Sequence, residues 1–174
     1  MIREIITYPN KLLRTKSKDV EKFDAELHAL LDDMYETMIE KDGVGLAAIQ
    51  ISVALNVLLI CLPDENNIQL HENALEAINP VITEKEGVIT FTEGCLSVPE
   101  VHEEIKRAQR ICVEFYDRHG QKHQMEAEEF LAVVWQHELD HLEGHLFIEK
   151  LSVIKRKKFE KEWKKKLKEE KNRK

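Results

Sequence analysis

The sequence predicts an α+β fold. Three observations carry that reading: an apolar stripe at helical spacing near the start, short apolar segments separated by turn residues through the middle, and a later helical segment loaded with polar functional groups. The first helix starts at Asp24, whose side chain suits an N-cap. Its apolar residues fall at Leu27, Leu30, Leu31, Met34 and Met38, and Gly43 is its expected stop. Gly43-Val44-Gly45-Leu46-Ala47-Ala48-Ile49-Gln50 follows as an expected loop. Residues 57–62 read as a buried strand ended by Pro63-Asp64, and residues 64–76 as polar loop. Residues 77–91 read as short strands broken at Asn79-Pro80 and at Glu86-Gly87. Residues 111–116 and 122–126 form an expected hairpin across Arg118-His119-Gly120-Gln121. Residues 128–142 are the second long helix, with Gly144 ending it. From Ser152 onward the chain is helical by propensity, with Phe159, Trp163 and Leu167 on one narrow stripe.

Composition narrows the function classes. The 174 residues suffice for one core without disulfide help. Charged residues at 34% and hydrophobic residues at 43% describe a globular, soluble chain. The longest apolar runs, 57–62 and 130–135, fall far short of the ~18 residues that a spanning helix needs. Met1-Ile2-Arg3-Glu4 opens no signal-peptide core, so a cytoplasmic location and no membrane partner are expected. Cys61, Cys95 and Cys112 are too few and scattered for a disulfide framework. The net charge of −7 is uneven: Lys155 to Lys174 holds twelve Lys/Arg against four Glu, which leaves fourteen against twenty-nine in the remainder. An acidic body should not bind nucleic acid by itself, whereas the basic tail suits either a polyanion or a solvated, salt-bridged helix face.

The strongest chemical signal is His137-Glu138-Leu139-Asp140-His141. Residues four apart on a helix share a face, so two imidazoles there can converge on one cation. Glu138 sits one step around the helix, beside the cation, where it can exchange a proton with water. Val133, Val134 and Trp135 run straight into the motif and predict a buried helix, in which these polar groups are costly without a metal or partners. A third ligand is required. The position that carries a third His in a longer version of this motif is Phe147, and His145 comes too early. Glu160 and Glu162 lie in the charged tail and read as solvated. Cys61 and Cys112 sit inside strands and read as structural. Cys95 lies in Glu93-Gly94-Cys95-Leu96-Ser97-Val98-Pro99, read as an irregular loop from which a thiolate can be aimed. A Cys-His-His set leaves a fourth position open, which is the catalytic rather than the closed structural arrangement. Gly43 and Gly45 permit a close backbone approach, and Gln50 offers an uncharged amide donor. His119 and His123, on either side of a turn, need not converge.

Residues 43–50, 93–97 and 136–141 together resemble the three signature motifs of the peptide deformylase family, in the family's order and without a departure; Tyr8-Pro9, Asn79-Pro80, Arg107 and Leu151-Ser152 extend the resemblance over roughly residues 2–155. The resemblance implies antiparallel β-sheets packed around a central helix that carries His137 and His141, followed by a C-terminal helix. It implies a catalytic domain over 1–151 and leaves 152–174 as a basic helical tail. It implies removal of the formyl group from N-formylmethionyl nascent peptides. Cys95, His137 and His141 then bind one divalent metal per chain, with Glu138 as general acid/base, and Gln50 and the backbone N–H of Leu96 as oxyanion donors. Iron(II) is the expected metal, and zinc, nickel and cobalt also suit these ligands.

A formamide is a stable amide, so its hydrolysis needs an activated nucleophile, stabilisation of the charge that develops on the carbonyl oxygen, and a proton for the departing amine. Gly43 and Gly45 are expected to lie against the substrate backbone, which pairs as an added strand. Val44, Leu96, Val133 and Val134 are expected to wall an apolar pocket for the methionine side chain, with His102 at its rim. Glu93 and Asp140 are expected to orient the metal ligands, and Arg107 to pair with Glu93. The tail is expected either to reach ribosomal RNA near the emerging peptide, as in some members of the family, or to stay a solvated, salt-bridged helix, and the protein to work as a monomer.

Overall fold

The computed structural model describes residues 1–173; Lys174, the end of the predicted tail, lies outside the described residues. Among the described residues, two antiparallel sheets and three α-helices make an α+β fold. Helix α1 (Ala25–Glu40) starts where Asp24 Oδ1 accepts the Leu27 N–H at 3.1 Å. Its stripe of Leu27, Leu30, Leu31, Met34 and Met38 is buried against the first sheet. The helix stops at Lys41, and the residue with positive φ is Asp42 (φ 55°) rather than the expected glycine.

The five-stranded sheet has the order β1 (Gly45–Ala47), β2 (Val57–Ile60), β3 (Leu75–Glu86), β6 (Arg110–Tyr116), β7 (Lys122–Glu128). All four residues of β2 are buried, as the unbroken apolar run requires of a strand covered on both faces. The segment 43–50 is not a plain loop: it supplies edge strand β1 and then a 3₁₀ turn over Ala48–Ile51. Asn79-Pro80 does not break a strand either. It forms a bulge in β3, where a missing N–H is tolerated, and the Asn79 amide bridges the backbone N–H and C=O of Val20 at 2.8 and 3.0 Å. The β6–β7 hairpin turns at Asp117–Gln121, as its sequence predicts.

The second sheet is a ribbon of β4 (Ile89–Cys95) and β5 (Val98–Arg107) joined by Leu96-Ser97. It places Cys95 at the end of a strand, paired with Val98, rather than in an irregular loop. Helix α2 (Glu129–Leu142) packs on β1, β2, β6 and β7 and also touches β4. It ends at Gly144 (φ 83°), where a Cβ would sit 2.5 Å from the carbonyl oxygen of Arg14. Helix α3 (Val153–Asn172) is capped by Ser152 and docks through Phe159, which is 5% exposed and packs with Leu13, Val98, Phe147 and Ile148. Tyr8 meets the rings of Phe159 and Trp163 edge-on at 5.3 and 5.4 Å. Among the described residues, no helix is long and apolar enough to cross a membrane.

Candidate active site

One face of α2 and the end of β4 bring three donor atoms together. His137 Nε2 and His141 Nε2 lie 3.3 Å apart, Cys95 Sγ lies 3.3 Å from His141 Nε2, and all three atoms lie within 4.8 Å of one another. Tetrahedral coordination with bonds of about 2.0–2.1 Å to nitrogen and about 2.3 Å to sulfur needs separations of roughly 3.3–3.6 Å. Two of the three separations meet that spacing, and the donor types suit a single cation. Among the described residues this is the one cluster of three or more His, Cys, Asp or Glu side chains with that property.

The orientation of His137 is fixed from behind. Its Nδ1 faces Glu93 Oε1 at 2.8 Å, so Nδ1–H can donate to the carboxylate, which leaves Nε2 turned toward the other two donors. Glu93 is held in turn by Arg107, whose Nε and Nη2 donate to it at 2.6 and 2.8 Å; Arg107 Nη1 donates to Asp140 Oδ2 at 2.8 Å. Glu93 and Arg107 are both buried. Burial pushes the Glu93 carboxyl up, but the hydrogen bonds from His137 and Arg107 outweigh it and leave the group below its ordinary range. Burial pushes His137 down, yet Cys95 and Glu93 leave it raised well above the usual histidine value. Burial and the adjacent charge of His137 push His141 well below it.

Glu138 is 4% exposed and its Oε2 has no hydrogen-bond partner. Burial raises its carboxyl to about 7, where it can both take and give a proton near neutrality. The carboxylate lies over Gly45: a Cβ there would stand 2.8 Å from Glu138 Oε1. At Gly43 a Cβ would meet Leu96 Cδ1 at 2.8 Å. These glycines thus make room for the protein's own Glu138 and Leu96, a close approach that was expected for substrate.

Gln50 is buried beneath the three donors. Its Oε1 accepts the Ala47 N–H at 3.0 Å, and because that backbone group can only donate, the amide cannot flip. Its Nε2 is thereby aimed at Ser97 Oγ, 3.0 Å away, and at Cys95 Sγ, 3.7 Å away. Ser97 was not among the expected site residues, although it closes the 93–97 motif.

A cleft of about 910 Å³ opens on this corner. Gly43, Val44, Gly45, Leu96, His102, Val133 and Val134 all line it, and the His102 ring lies over Gly94, where a Cβ would come within 2.8 Å of it. Arg107 and Asp140 stand behind the ligands and do not line the cleft. Two aromatic walls escaped the sequence reading. Phe91 and Phe130 stack at 5.0 Å on the apolar side. Phe130 precedes His137 by seven residues and so shares its helix face, a signal that could have found it. Phe91 owes its place to the β4–β5 ribbon and had no such signal.

The discounted groups add no donor to this cluster. The ring of Phe147 stacks on His137 at 5.9 Å. His123 pairs with Asp117 at 2.7 Å while His119 packs edge-on against His28. Cys61 is buried and donates to the carbonyl of Leu70, and Cys112 faces Glu84 and Glu126.

The chain is similar to known proteins along nearly its whole length. The family described as Polypeptide deformylase matches residues 2–157. The peptide deformylase of Campylobacter jejuni is 58% identical over 172 residues, 98% of each chain. Among solved structures, a peptide deformylase from Legionella pneumophila superposes with a TM-score of 0.89 at 38% identity, over 100% of this chain and 99% of that one. A Met-Ala-Ser-bound peptide deformylase from Acinetobacter baumannii superposes with a TM-score of 0.80 at 29% identity, over 87% of this chain and 99% of that one.

Proposed function

The chain belongs to the polypeptide deformylase family, hydrolases that remove the N-formyl group from nascent peptides, and from that membership we propose the residues and steps by which it does so. Cys95 Sγ, His137 Nε2 and His141 Nε2 would hold one divalent cation; the family resemblance favours iron(II), and zinc, nickel and cobalt suit the same donors. When bound, that cation supplies Lewis-acid chemistry, lowering the pKa of water toward neutrality and polarising the formyl carbonyl. Glu138 takes the proton of the attacking water on its carboxylate and hands it to the departing amine nitrogen. Its value near 7 suits both transfers. Gln50 Nε2 and the Leu96 N–H donate to the carbonyl oxygen as negative charge develops there; one such donor is typically worth about 10²–10³ in rate. Glu93, Arg107 and Asp140 hold the His137 ring in the tautomer that offers Nε2.

The methionine side chain enters the apolar wall of Val44, Leu96, Val133 and Val134, completed by Phe91 and Phe130, with His102 at the rim. The peptide backbone lies along the Gly43–Gly45 edge as an added strand. The Met-Ala-Ser found in the Acinetobacter baumannii relative is a peptide of the length this cleft would take. We read α2 as the central helix on which the two sheets close, since it packs against strands of both. All of these groups come from one chain, so a monomer suffices. The basic face of α3 would suit ribosomal RNA; its removal should then weaken ribosome co-sedimentation in a salt-dependent way.

The observation that carries the proposal is the buried Glu138 carboxyl, with Oε2 unpartnered, in an apolar cleft that Cys95 and His137 of the three convergent donors also line. The test is formate release from formyl-Met-Ala-Ser under anaerobic conditions. Wild type should turn over and Glu138→Ala should lose about 10²–10⁴ in kcat while keeping its metal. Equal turnover by the two proteins would refute the assignment of Glu138. Cleavage of an unmodified protein substrate would point instead to an endopeptidase.

A further inference from the structure

The loop between β2 and β3 reads as polar filler in the sequence, yet one of its side chains reaches the cleft edge. Gln69 Nε2 donates to two carbonyls at once, Gly43 O at 2.8 Å and Cys61 O at 2.7 Å. The loop is pinned on either side of Gln69: before it the Asp64 N–H donates to Ile68 O at 2.8 Å, and after it Cys61 Sγ donates to Leu70 O at 3.4 Å and the His71 ring packs on Tyr35 of α1 at 4.2 Å.

The two acceptors sit where β1 and β2 stop pairing. Gly45 faces Ile60, so the next rung would be Val44 opposite Cys61. Half of that rung is made, because the Cys61 N–H donates to Val44 O at 2.9 Å. In an antiparallel ladder such a pair exchanges both bonds, and Cys61 O would take the Val44 N–H in return. That reciprocal bond is not formed; Cys61 O is taken by Gln69 instead. Among the described residues the Val44 N–H therefore has no backbone acceptor, and Val44 lines the cleft. The same amide fixes Gly43, whose Cα lies against Leu96.

We propose that Gln69 is a positioning residue for the substrate peptide: its side-chain amide stands in for the last rung between β1 and β2, and so holds the Gly43–Gly45 edge with the Val44 N–H available to a carbonyl of the peptide. This deepens the deformylase reading and rests on it. The requirement falls on the peptide backbone beyond the formyl group, not on the chemistry at Cys95, His137 and His141.

The experiment compares wild type with Gln69→Met, which keeps the side chain's length and removes both donors, and with Gln69→Leu. Formate release is measured on formyl-Met-Ala-Ser and on N-formylmethionine, which carries no further residue, beside metal content and the melting temperature. The expected result is a KM for formyl-Met-Ala-Ser raised about tenfold, in line with the loss of one ordinary hydrogen bond. The kcat and metal content stay within twofold of wild type, and the advantage of the tripeptide over N-formylmethionine shrinks by the same tenfold. If both variants lose the two substrates equally, or melt lower with no change in KM, Gln69 is structural and the inference is overturned. Absence of formate release by wild type would instead overturn the function on which it rests.

Discussion

Helices α2 and α3 are both rich in polar residues, and they use them in opposite ways. Nine of the fourteen residues of α2 are buried, among them Gln136, His137, Glu138 and His141, while α3 buries only Phe159 of its twenty. A polar group taken out of water must find partners or pay a penalty of several kcal/mol. On α2 some of these groups find partners, while His141 Nδ1 and Glu138 Oε2 have none. Gln136 bridges the backbone N–H and C=O of Ala108 at 3.0 and 2.8 Å, His137 has Glu93, and Glu138 keeps a penalty that function can use. On α3 the basic side chains are mostly in water and their ion pairs, such as Arg156 with Glu160 at 3.6 Å, are of the weak exposed kind. The same residue types thus become chemistry in one helix and a solvated face in the other, and burial makes the difference.

The contrast predicts effects that decrease from one helix to the other. Removing the cation with a chelator should abolish formate release and lower the melting temperature, because two buried imidazoles 3.3 Å apart lose the charge that draws them together. Iron(II), cobalt or nickel added back without oxygen should restore activity, and chelated protein with unchanged turnover would remove the metal from the account. Glu138→Gln keeps the shape of α2 and removes the proton transfer proposed for it, so kcat should fall about 10²–10⁴-fold at unchanged metal content, measured by turnover and elemental analysis. Arg107→Ala leaves Glu93 buried and unpaired behind His137. Metal affinity should drop about 10–100-fold and stability by about 3–5 kcal/mol, read by metal titration and denaturant unfolding.

On α3 the same measurements should barely register at the active site. Phe159→Ala empties a buried position and should cost about 3 kcal/mol in denaturant unfolding, with kcat/KM on formyl-Met-Ala-Ser unchanged in the protein that stays folded. A matching loss of kcat/KM would show that α3 supports the site more directly than its contacts imply. The smallest effect concerns Lys166, whose ammonium holds the Glu100 carboxyl below its ordinary value through a 2.7 Å hydrogen bond. A carboxyl lowered on folding contributes its stability above the unfolded value near 4.5 and loses it as the pH falls through the folded one. Melting curves of wild type and Lys166→Ala should therefore differ slightly at pH 6 and converge as the pH falls below 4.5 and through the folded value, and a gap that widens on acidification would contradict the pairing.

How much of this was legible in the sequence follows the range of the interactions involved. Helix α1 was readable because Asp24 and the stripe from Leu27 to Met38 act within one segment. The β6–β7 hairpin was readable because its turn is local. The ribbon β4–β5 was not. Val98–Arg107 buries Val98, Ile105 and Arg107 and exposes charged residues between them, since a two-stranded ribbon is covered on only part of one face. No alternating pattern announced the strand, and Cys95 was accordingly expected on a loop. Asn79-Pro80 looked like a strand break because a proline lacks the donor a ladder needs, and only the bulge and the bridge to Val20 reconcile it with β3. Ser97, Phe91 and Gln69 owe their places to pairings that composition and spacing do not encode.

The sequence by itself determined the chemical inventory and everything set by helical periodicity: two imidazoles one turn apart on α2, the carboxylate between them, and a thiol in a distinct motif. Only the tertiary structure decided that the thiol, 46 residues before His141, stands 3.3 Å from its Nε2, and that Arg107 stands behind His137 through Glu93. The physical reason is that a helix fixes neighbours three and four residues away by its own geometry. The meeting of β4 with α2 depends instead on strand register, buried area and ion pairing summed over the whole fold.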